Sequence, residues 1–574
     1  MRIRLLQRLI LSGLLAIWVG LFSTQVLHGP IYRDKAERNR TRLVHLPAAR
    51  GSILDRRGIP LAEDRLHFEL AILPQELQNP GETWRHLSWR VGIPAEELAR
   101  RYKKGFYARF APVTVVRDLK RETAFLLEEE RAQLPGILVR PVPRRRYPLG
   151  SSGGSAIGYL GLIAPEELTK LEAYGYTLRD WVGKDGIEKV YDGILRGRDG
   201  GLHMEVNAQG KMVQQIGFLP PQRGHNLFLT VDSRLQELCY RLLEESRGAL
   251  IVMNSTTGEI LALVSSPSFD PQLFVDSRRS EEVRRILKDP ERPFFNRAIR
   301  AMVPPGSIFK AAVAYQALRE DKITPGTAFE CKGQYKLGRA TFRCWREEGH
   351  SFQTVSEALE HSCNVFFYNT GRRLGVEGIA RAARLFRLDC PTGIDLPWEA
   401  KGLVPAAAWM KHVNRQSWRE GDTLSFGIGQ GALQVTPMEM LMLFNAIATN
   451  GDFPRPLLVL RAEGQDLPSR PPSGVRIPLE AAALSRVKTG LERVVQSETG
   501  TGQLALVAGI RIAGKTGTAQ VSQGLPHAWF CGYAPAEHPK VSFVVFLEHG
   551  GKGGLRPAQI AGQLVATLKE MEYL

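Results

Sequence analysis

The chain has 574 residues, 43% of them hydrophobic, and a formal net charge of +17. It is too long for one ordinary domain and too apolar for a disordered chain. So large a positive charge in a cytoplasmic protein would point to nucleic acid, but the N-terminus argues against that compartment.

Residues 9–27, LILSGLLAIWVGLFSTQVL, carry no charge, and a helical crossing of a bilayer takes about 20 such residues. Arg2, Arg4 and Arg8 precede the run. The positive-inside rule therefore predicts a cytoplasmic tail at 1–8, a transmembrane helix at 9–28 and the rest outside the cytoplasm. No clear small-x-small cleavage site follows, which separates the run from a cleaved signal peptide. In that setting a basic surface meets anionic wall polymer or lipid headgroups rather than nucleic acid, unless it is only a solvated face.

After a polar stalk, YRDKAERNRTR, the run RGSILDRRGIPLA opens a mixed region predicted to fill 29–220. HFELAIL alternates like a strand, PAEELARRY and RETAFLLEEERAQL read as helices, and RPVPRRRYPLG and GSSGGSAIGYLG are dense in turns. LPPQRGHNLFLTVD reads as a linker into a second domain, 221–574, large enough for one α/β or α+β body. There GALIVMNSTTGEILALVSSPSFDP predicts a hairpin of the core sheet. GQDLPSRPPSGV reads as a polar surface loop and AGQLVATLKEMEYL as an amphipathic C-terminal helix.

The chemistry centres on VPPGSIFKAA. Pro304 and Pro305 disfavour helix before Gly306, and Gly306 permits a sharp turn. Ile308, Ala311, Ala312, Tyr315 and Leu318 then form a helical apolar stripe. Ser307 is thus predicted at a helix N-terminus, where free N–H groups stabilise an alkoxide or oxyanion. Lys310 lies one turn on, on the same face, and a neutral amine there can take the serine proton. A capping serine beside a solvated lysine is the plain alternative, and S-x-x-K alone is weak. Two further motifs strengthen it: HSCNVFFYNTG supplies Ser362 and Asn364, and GIRIAGKTGTAQV supplies Lys515, Thr516, Gly517 and Thr518 on a strand. S-x-x-K, S-x-N and K-T-G in this order are shared by penicillin-binding proteins and class A β-lactamases.

With these motifs the sequence resembles class B penicillin-binding proteins over nearly its whole length, and most of all their elongation-type branch. RGSILDRRG, RRRYPLG...AIGYLG and GKDGIEKVYDGILRGRDG look like pedestal motifs of that family, and SFGIGQGALQVTPMEM and KTGTAQV look like its elongation type. No glycosyltransferase block lies between anchor and pedestal, so class A does not fit. The resemblance implies an α+β multidomain fold: one transmembrane helix, an elongated mixed pedestal similar to the family's dimerisation domains, and a serine β-lactamase-like transpeptidase domain with an antiparallel sheet flanked by helices. It implies that Ser307 attacks the carbonyl between two D-alanines of a stem peptide, with Lys310 as base. Ser362 would relay a proton to the leaving group, with Lys515 holding that network. The N–H groups of Ser307 and Thr518 would form the oxyanion hole, Asn364 would bind the donor amide, and the Thr516 and Thr518 hydroxyls would meet the substrate carboxylate. β-Lactams would acylate the same serine. Gly517 leaves room for an extended peptide along the strand edge, and Trp529, in HAWFCGYAP, resembles an aromatic near the acyl site, although residues of this kind are more often core. Strict alternation, however, places Lys515 on the strand face opposite Thr516. Partners implied by the resemblance are a RodA-type SEDS glycosyltransferase and an MreC-type activator. A division-type transpeptidase, a D,D-carboxypeptidase, a β-lactam hydrolase or sensor, and a scaffold docking a polymerase are the competing readings.

Six cysteines are present. The chemistry described needs no cofactor, but Cys331, Cys344, His350 and Cys363 form a Cys3His set suited to structural, tetrahedral zinc. Some elongation-type relatives are similar in carrying zinc in this excursion. A Cys331–Cys344 disulfide or free thiols remain open. Cys239, Cys390 and Cys531 read as buried core.

Overall fold

The structure, a computed structural model, describes residues 2–106, 112–177, 180–207, 212–276, 279–413, 417–465 and 474–574. Most of the GQDLPSRPPSGV loop, residues 466–473, lies outside them. The chain divides into two compact units. The smaller holds Met1–Gly51, Asp64–Arg145 and Arg196–Gly224; the larger holds Ser52–Glu63, Arg146–Leu195 and His225–Leu574.

The smaller unit begins with a helix, Arg2–Phe22, extended by a π-helical turn, Ser23–Leu27. The most apolar 18-residue stretch within Leu5–Leu27 has a mean hydropathy of 1.9 and is not buried by the rest of the chain. At 1.5 Å per residue the helix is long enough to cross the hydrocarbon layer. The stalk after it is a second helix, Gly29–Arg40, leading into strand Thr41–Leu46. That strand pairs antiparallel with Gly200–Val206, which pairs with Met212–Leu219. The helices expected from PAEELARRY and RETAFLLEEERAQL occur as Ala95–Gly105 and Arg121–Glu129. They close a separate core around Leu70, Ile72, Leu98, Val115 and Leu127.

The larger unit is built on five antiparallel strands: β1 (Gly248–Asn254), β2 (Ile260–Ser266), β3 (Ala513–Ala519), β4 (His527–Ala534) and β5 (Val541–Leu547), in the spatial order β2-β1-β5-β4-β3. The expected hairpin is β1–β2, with Ala249 opposite Ser265. Every residue of β4 and β5 is buried, so these strands are covered on both faces and read as unbroken apolar runs rather than alternating ones. One face places Trp529, Cys531, Val544 and Phe546 in the larger core with the Pro437–Ala448 helix. The other places Ala528, Phe530, Phe543 and Val545 against the C-terminal helix. Five helices frame the site: α1 (Lys310–Arg319), α2 (Val355–Glu360), α3 (Asn364–Leu385), α4 (Ala481–Gln496) and α5 (Arg556–Glu570).

The division at 220/221 expected from sequence differs from this partition, because two stretches of the 29–220 region pack into the larger unit. Side-chain bonding gives the reason. Asp55 of the LDRRG run is fully buried. One carboxylate oxygen accepts the N–H of Arg57 and Ile59, each at 2.8 Å, and the other accepts the Ser233 hydroxyl at 2.8 Å. In the second stretch Tyr191 donates to Asp395 at 3.0 Å.

Candidate active site

Ser307 lies in a 3-10 turn, Gly306–Phe309, and the α-helix α1 begins only at Lys310. Gly306 takes φ +58°, its N–H donates to Gly429 O at 2.9 Å, and a Cβ on it would stand 2.7 Å from Thr518 O. Gln430 Nε2 donates to the same Thr518 oxygen at 3.3 Å. The turn is therefore wedged between the GIGQG loop and β3, and the narrow 3-10 winding fits that gap. Ser307 remains half-exposed there.

Lys310 is fully buried. Its Nζ donates to Asn364 Oδ1 at 2.7 Å and to Ser362 O at 2.9 Å, and stands 3.4 Å from Ser362 Oγ. These contacts bring the first two motifs together. Among the described residues they end on Ser362 and Asn364, not on Ser307. Burial pushes the Lys310 amine down to about 8, against a smaller upward pull from the nearby thiols.

The S-x-N turn is held at both ends. Thr354 and Glu357 make a capping box at the start of α2. After α2, Ser362 adopts φ +52°, a left-handed conformation unusual outside glycine. Such strain persists where the surroundings over-determine it. Here Cys363 N bonds back to Ala358 O at 2.9 Å, and Asn364 opens α3 while its Nδ2 donates to Arg343 O at 3.3 Å.

Strand β3 lies at the edge of the sheet. Lys515 and Gly517 face the side of Cys531 and Trp529, and Thr516 pairs with Phe530, so alternation does separate Lys515 from Thr516. Lys515 is fully buried, donates to Thr516 O at 3.0 Å, and is held well below an ordinary lysine by burial and then by the charge of Lys310. A Cβ on Gly517 would stand 2.9 Å from Ile308 Cγ2 and 3.1 Å from Trp529 Cβ. The space made by Gly517 is thus filled by the neighbour of Ser307. The Thr516 hydroxyl donates to Thr501 Oγ1 at 2.9 Å, and Thr518 Oγ1 accepts the N–H of Gly553 at 3.3 Å. Trp529, expected beside substrate, is fully buried with its ring 4.3 Å from that of Phe546. It is a core residue, because the β4 face it occupies is covered.

Cys331, Cys344, His350 and Cys363 place their donor atoms within 4.8 Å of one another. His350 Nδ1 is 3.5 Å from Cys331 Sγ and 3.6 Å from Cys344 Sγ. The N–H of Asn364, at the positive end of α3, donates to Cys344 Sγ at 3.4 Å. Hydrogen bonds from Cys363 and then His350 and Asn364 hold the Cys344 thiol far below its ordinary range. None of these cysteines is in a disulfide. Three thiols and one imidazole nitrogen, mostly buried and converging, fit a tetrahedral soft cation.

Three contributors escape the motif reading: Gln430, Thr501 and Gly553. The Gly- and Thr-rich runs GIGQG and ETGTGQ were the available signals, since such runs between regular elements mark close backbone approach.

The chain matches the family profile described as Penicillin binding protein transpeptidase domain over residues 248–566, and that described as Penicillin-binding Protein dimerisation domain over residues 45–229. It is 32% identical to the peptidoglycan D,D-transpeptidase MrdA of Haemophilus influenzae over an alignment 586 positions long, covering 97% of this chain and 89% of that protein. Penicillin-binding protein PBP2 of Helicobacter pylori, solved in complex with MreC, superposes with a TM-score of 0.81 at 29% identity, covering 93% of this chain and 99% of that one. A chain of a solved peptidoglycan synthase complex that coordinates polymerization and crosslinking superposes with a TM-score of 0.77 at 30% identity, covering 98% of each.

The wedge around Ser307 can be tested with two glycines of positive φ. A Cβ on Gly429, at φ +74°, would stand 2.1 Å from Gly306 O, whereas one on Gly464, at φ +61°, meets nothing within 4 Å among the described residues. Gly429→Ala is expected to cost about 3 kcal/mol and Gly464→Ala about 1 kcal/mol, read as a large and a small fall in thermal midpoint.

Proposed function

The chain belongs to the class B penicillin-binding proteins, and from that premise we propose that it is an elongation-type peptidoglycan D,D-transpeptidase with Ser307 as its nucleophile. The observation that carries this reading is the convergence of Lys310 on Ser362 and Asn364, one turn after Ser307, with the Lys515 strand packed on the same turn. A neutral amine has two protons and one lone pair. Two protons directed at Ser362 O and Asn364 Oδ1 leave the lone pair of Lys310 for a hydroxyl.

In this mechanism Ser307 Oγ attacks the carbonyl of the penultimate D-alanine and passes its proton to Lys310. The N–H groups of Ser307 and Thr518 hold the oxyanion. The C–N bond then breaks, the terminal D-alanine leaves with a proton relayed from Lys310 through Ser362, and an ester to Ser307 remains. The amine of a second stem peptide attacks that ester, loses a proton to the same relay, and forms the cross-link as Ser307 regains its hydrogen. With a β-lactam the leaving nitrogen stays tethered, so the ester persists.

The N-terminal helix anchors the chain in the bacterial cytoplasmic membrane in this reading, with the bulk of the chain on the outer, periplasmic side. A membrane-embedded partner of the RodA-type SEDS class is proposed from the resemblance and from the peptidoglycan synthase complex that coordinates polymerization and crosslinking. An MreC-type activator on the pedestal is proposed from the MreC complex of the Helicobacter pylori protein. Zinc is proposed at Cys331, Cys344, His350 and Cys363. Four protein ligands leave no open position, so the metal would be structural and would tie the 331–350 excursion to the turn bearing Ser362.

Intact mass and peptide mapping after penicillin treatment are expected to place one adduct on Ser307 and none on a Ser307→Ala chain. Acylation requires neutral Lys310, so its rate is expected to rise about tenfold per pH unit up to about pH 8 and then level off. A flat profile from pH 6 to 9 would exclude Lys310 as the base. Metal analysis is expected to find one zinc per chain, with slower acylation after chelation. Full metal removal at unchanged rate would sink the bracing role.

A further inference from the structure

The segment between α4 and β3 reads SETGTGQLA, and no motif or mechanism above uses it. Its glycines are packed to contact. A Cβ on Gly500 would stand 2.3 Å from Val494 O, one on Gly502 would stand 3.0 Å from Val494 Cγ1 and 3.2 Å from Phe530 Cε2, and one on Gly554 would stand 2.5 Å from Thr501 O. Thr501 is thereby pressed between α4, β3 and the segment before α5.

From there a chain of hydrogen bonds crosses between two catalytic motifs. Thr516 Oγ1 donates to Thr501 Oγ1 at 2.9 Å, and Thr501 Oγ1 donates to Glu360 O at 3.2 Å. The Thr501 N–H also reaches Glu360 O, at 3.4 Å. Glu360 ends α2, two residues before Ser362. Its own fully buried carboxylate accepts from Thr499 Oγ1 at 2.6 Å and pairs with Arg493 of α4 at 2.5 Å. The end of α2 is thus fixed on both its backbone and its side chain.

A hydroxyl has one proton. Thr501 donates to Glu360 O and accepts from Thr516, so the bond from the K-T-G strand continues into the end of α2.

We propose that Thr501 is a positioning residue that latches the K-T-G strand to the S-x-N turn through Thr516. The latch sets the separation of Lys515 from Ser362, on which proton relay depends. This rests on the assignment of Ser307 as nucleophile.

The test is the two-step reaction of the full chain with benzylpenicillin, separating initial binding from the acylation rate constant, with thermal midpoints measured alongside. Thr501→Val is expected to lower the acylation rate constant about tenfold and change initial binding less than about twofold, while Thr501→Ser restores the rate to within about twofold. Thr516→Val breaks the same bond from the other side, and in the double variant the two losses do not multiply. It also supplies the measurement if Thr501→Val does not fold. An unchanged rate in Thr501→Val, a Thr501→Ser chain as slow as the valine variant, multiplying losses, or a defect confined to initial binding in Thr516→Val would each overturn the latch. Ser307→Ala separates the two levels. If it is still acylated, the nucleophile assignment fails. If it is inert while Thr501→Val reacts as wild type, only the latch fails.

Discussion

Lys310 is an amine buried completely and given no carboxylate among the described residues; its partners are a backbone carbonyl, a hydroxyl and an amide. An unpaired ammonium in such a place costs several kcal/mol, and the neutral form relieves that cost. The same holds for Lys515, whose charge Lys310 would further oppose. The fold therefore uses desolvation to favour the neutral amine where an ordinary lysine would be protonated. Around Lys310 it places groups that orient the amine without pairing its charge.

Keeping two amines dry demands close packing, and the glycines supply it. Gly306, Gly429 and Gly517 each stand where a Cβ would meet backbone or a buried side chain across the site. They let the Ser307 turn, the GIGQG loop and the edge strand approach one another closely enough to exclude water. The strain recorded at Ser362 belongs to the same economy of space: a left-handed serine presents its carbonyl and hydroxyl to one buried nitrogen.

The turn that bears Ser362 is braced from two sides. On one side the thiol and imidazole cluster reaches it through Cys363, and the first N–H of α3 points at the Cys344 sulfur. On the other, Glu360 is bound by Thr499, Thr501 and Arg493. Held by both, the turn keeps Ser362 in contact with Lys310 while Ser307 remains half-exposed.

Local pattern was enough for everything that depends on near neighbours. The uncharged N-terminal run, the β1–β2 hairpin, the helical turn after two prolines and a glycine, and the four Cys and His donors all follow from covalent order and period; that the α-helix begins at Lys310 rather than at Ser307 does not. The three motifs could be recognised because their residue types are chemically required. What the tertiary structure decided is where partners lie far apart in sequence. Residues 52–63 and 146–195 join the larger unit because Asp55 finds Ser233 and Tyr191 finds Asp395. Trp529 is core because a second layer covers its face of β4, as the unbroken apolar run of that strand implies. The Thr516 hydroxyl turned toward Thr501 because hydrogen-bond direction is set by the last acceptor in a chain, here a carbonyl 156 residues upstream of Thr516. Sequence order specifies which groups are available; only packing in three dimensions determines which of them must share a proton.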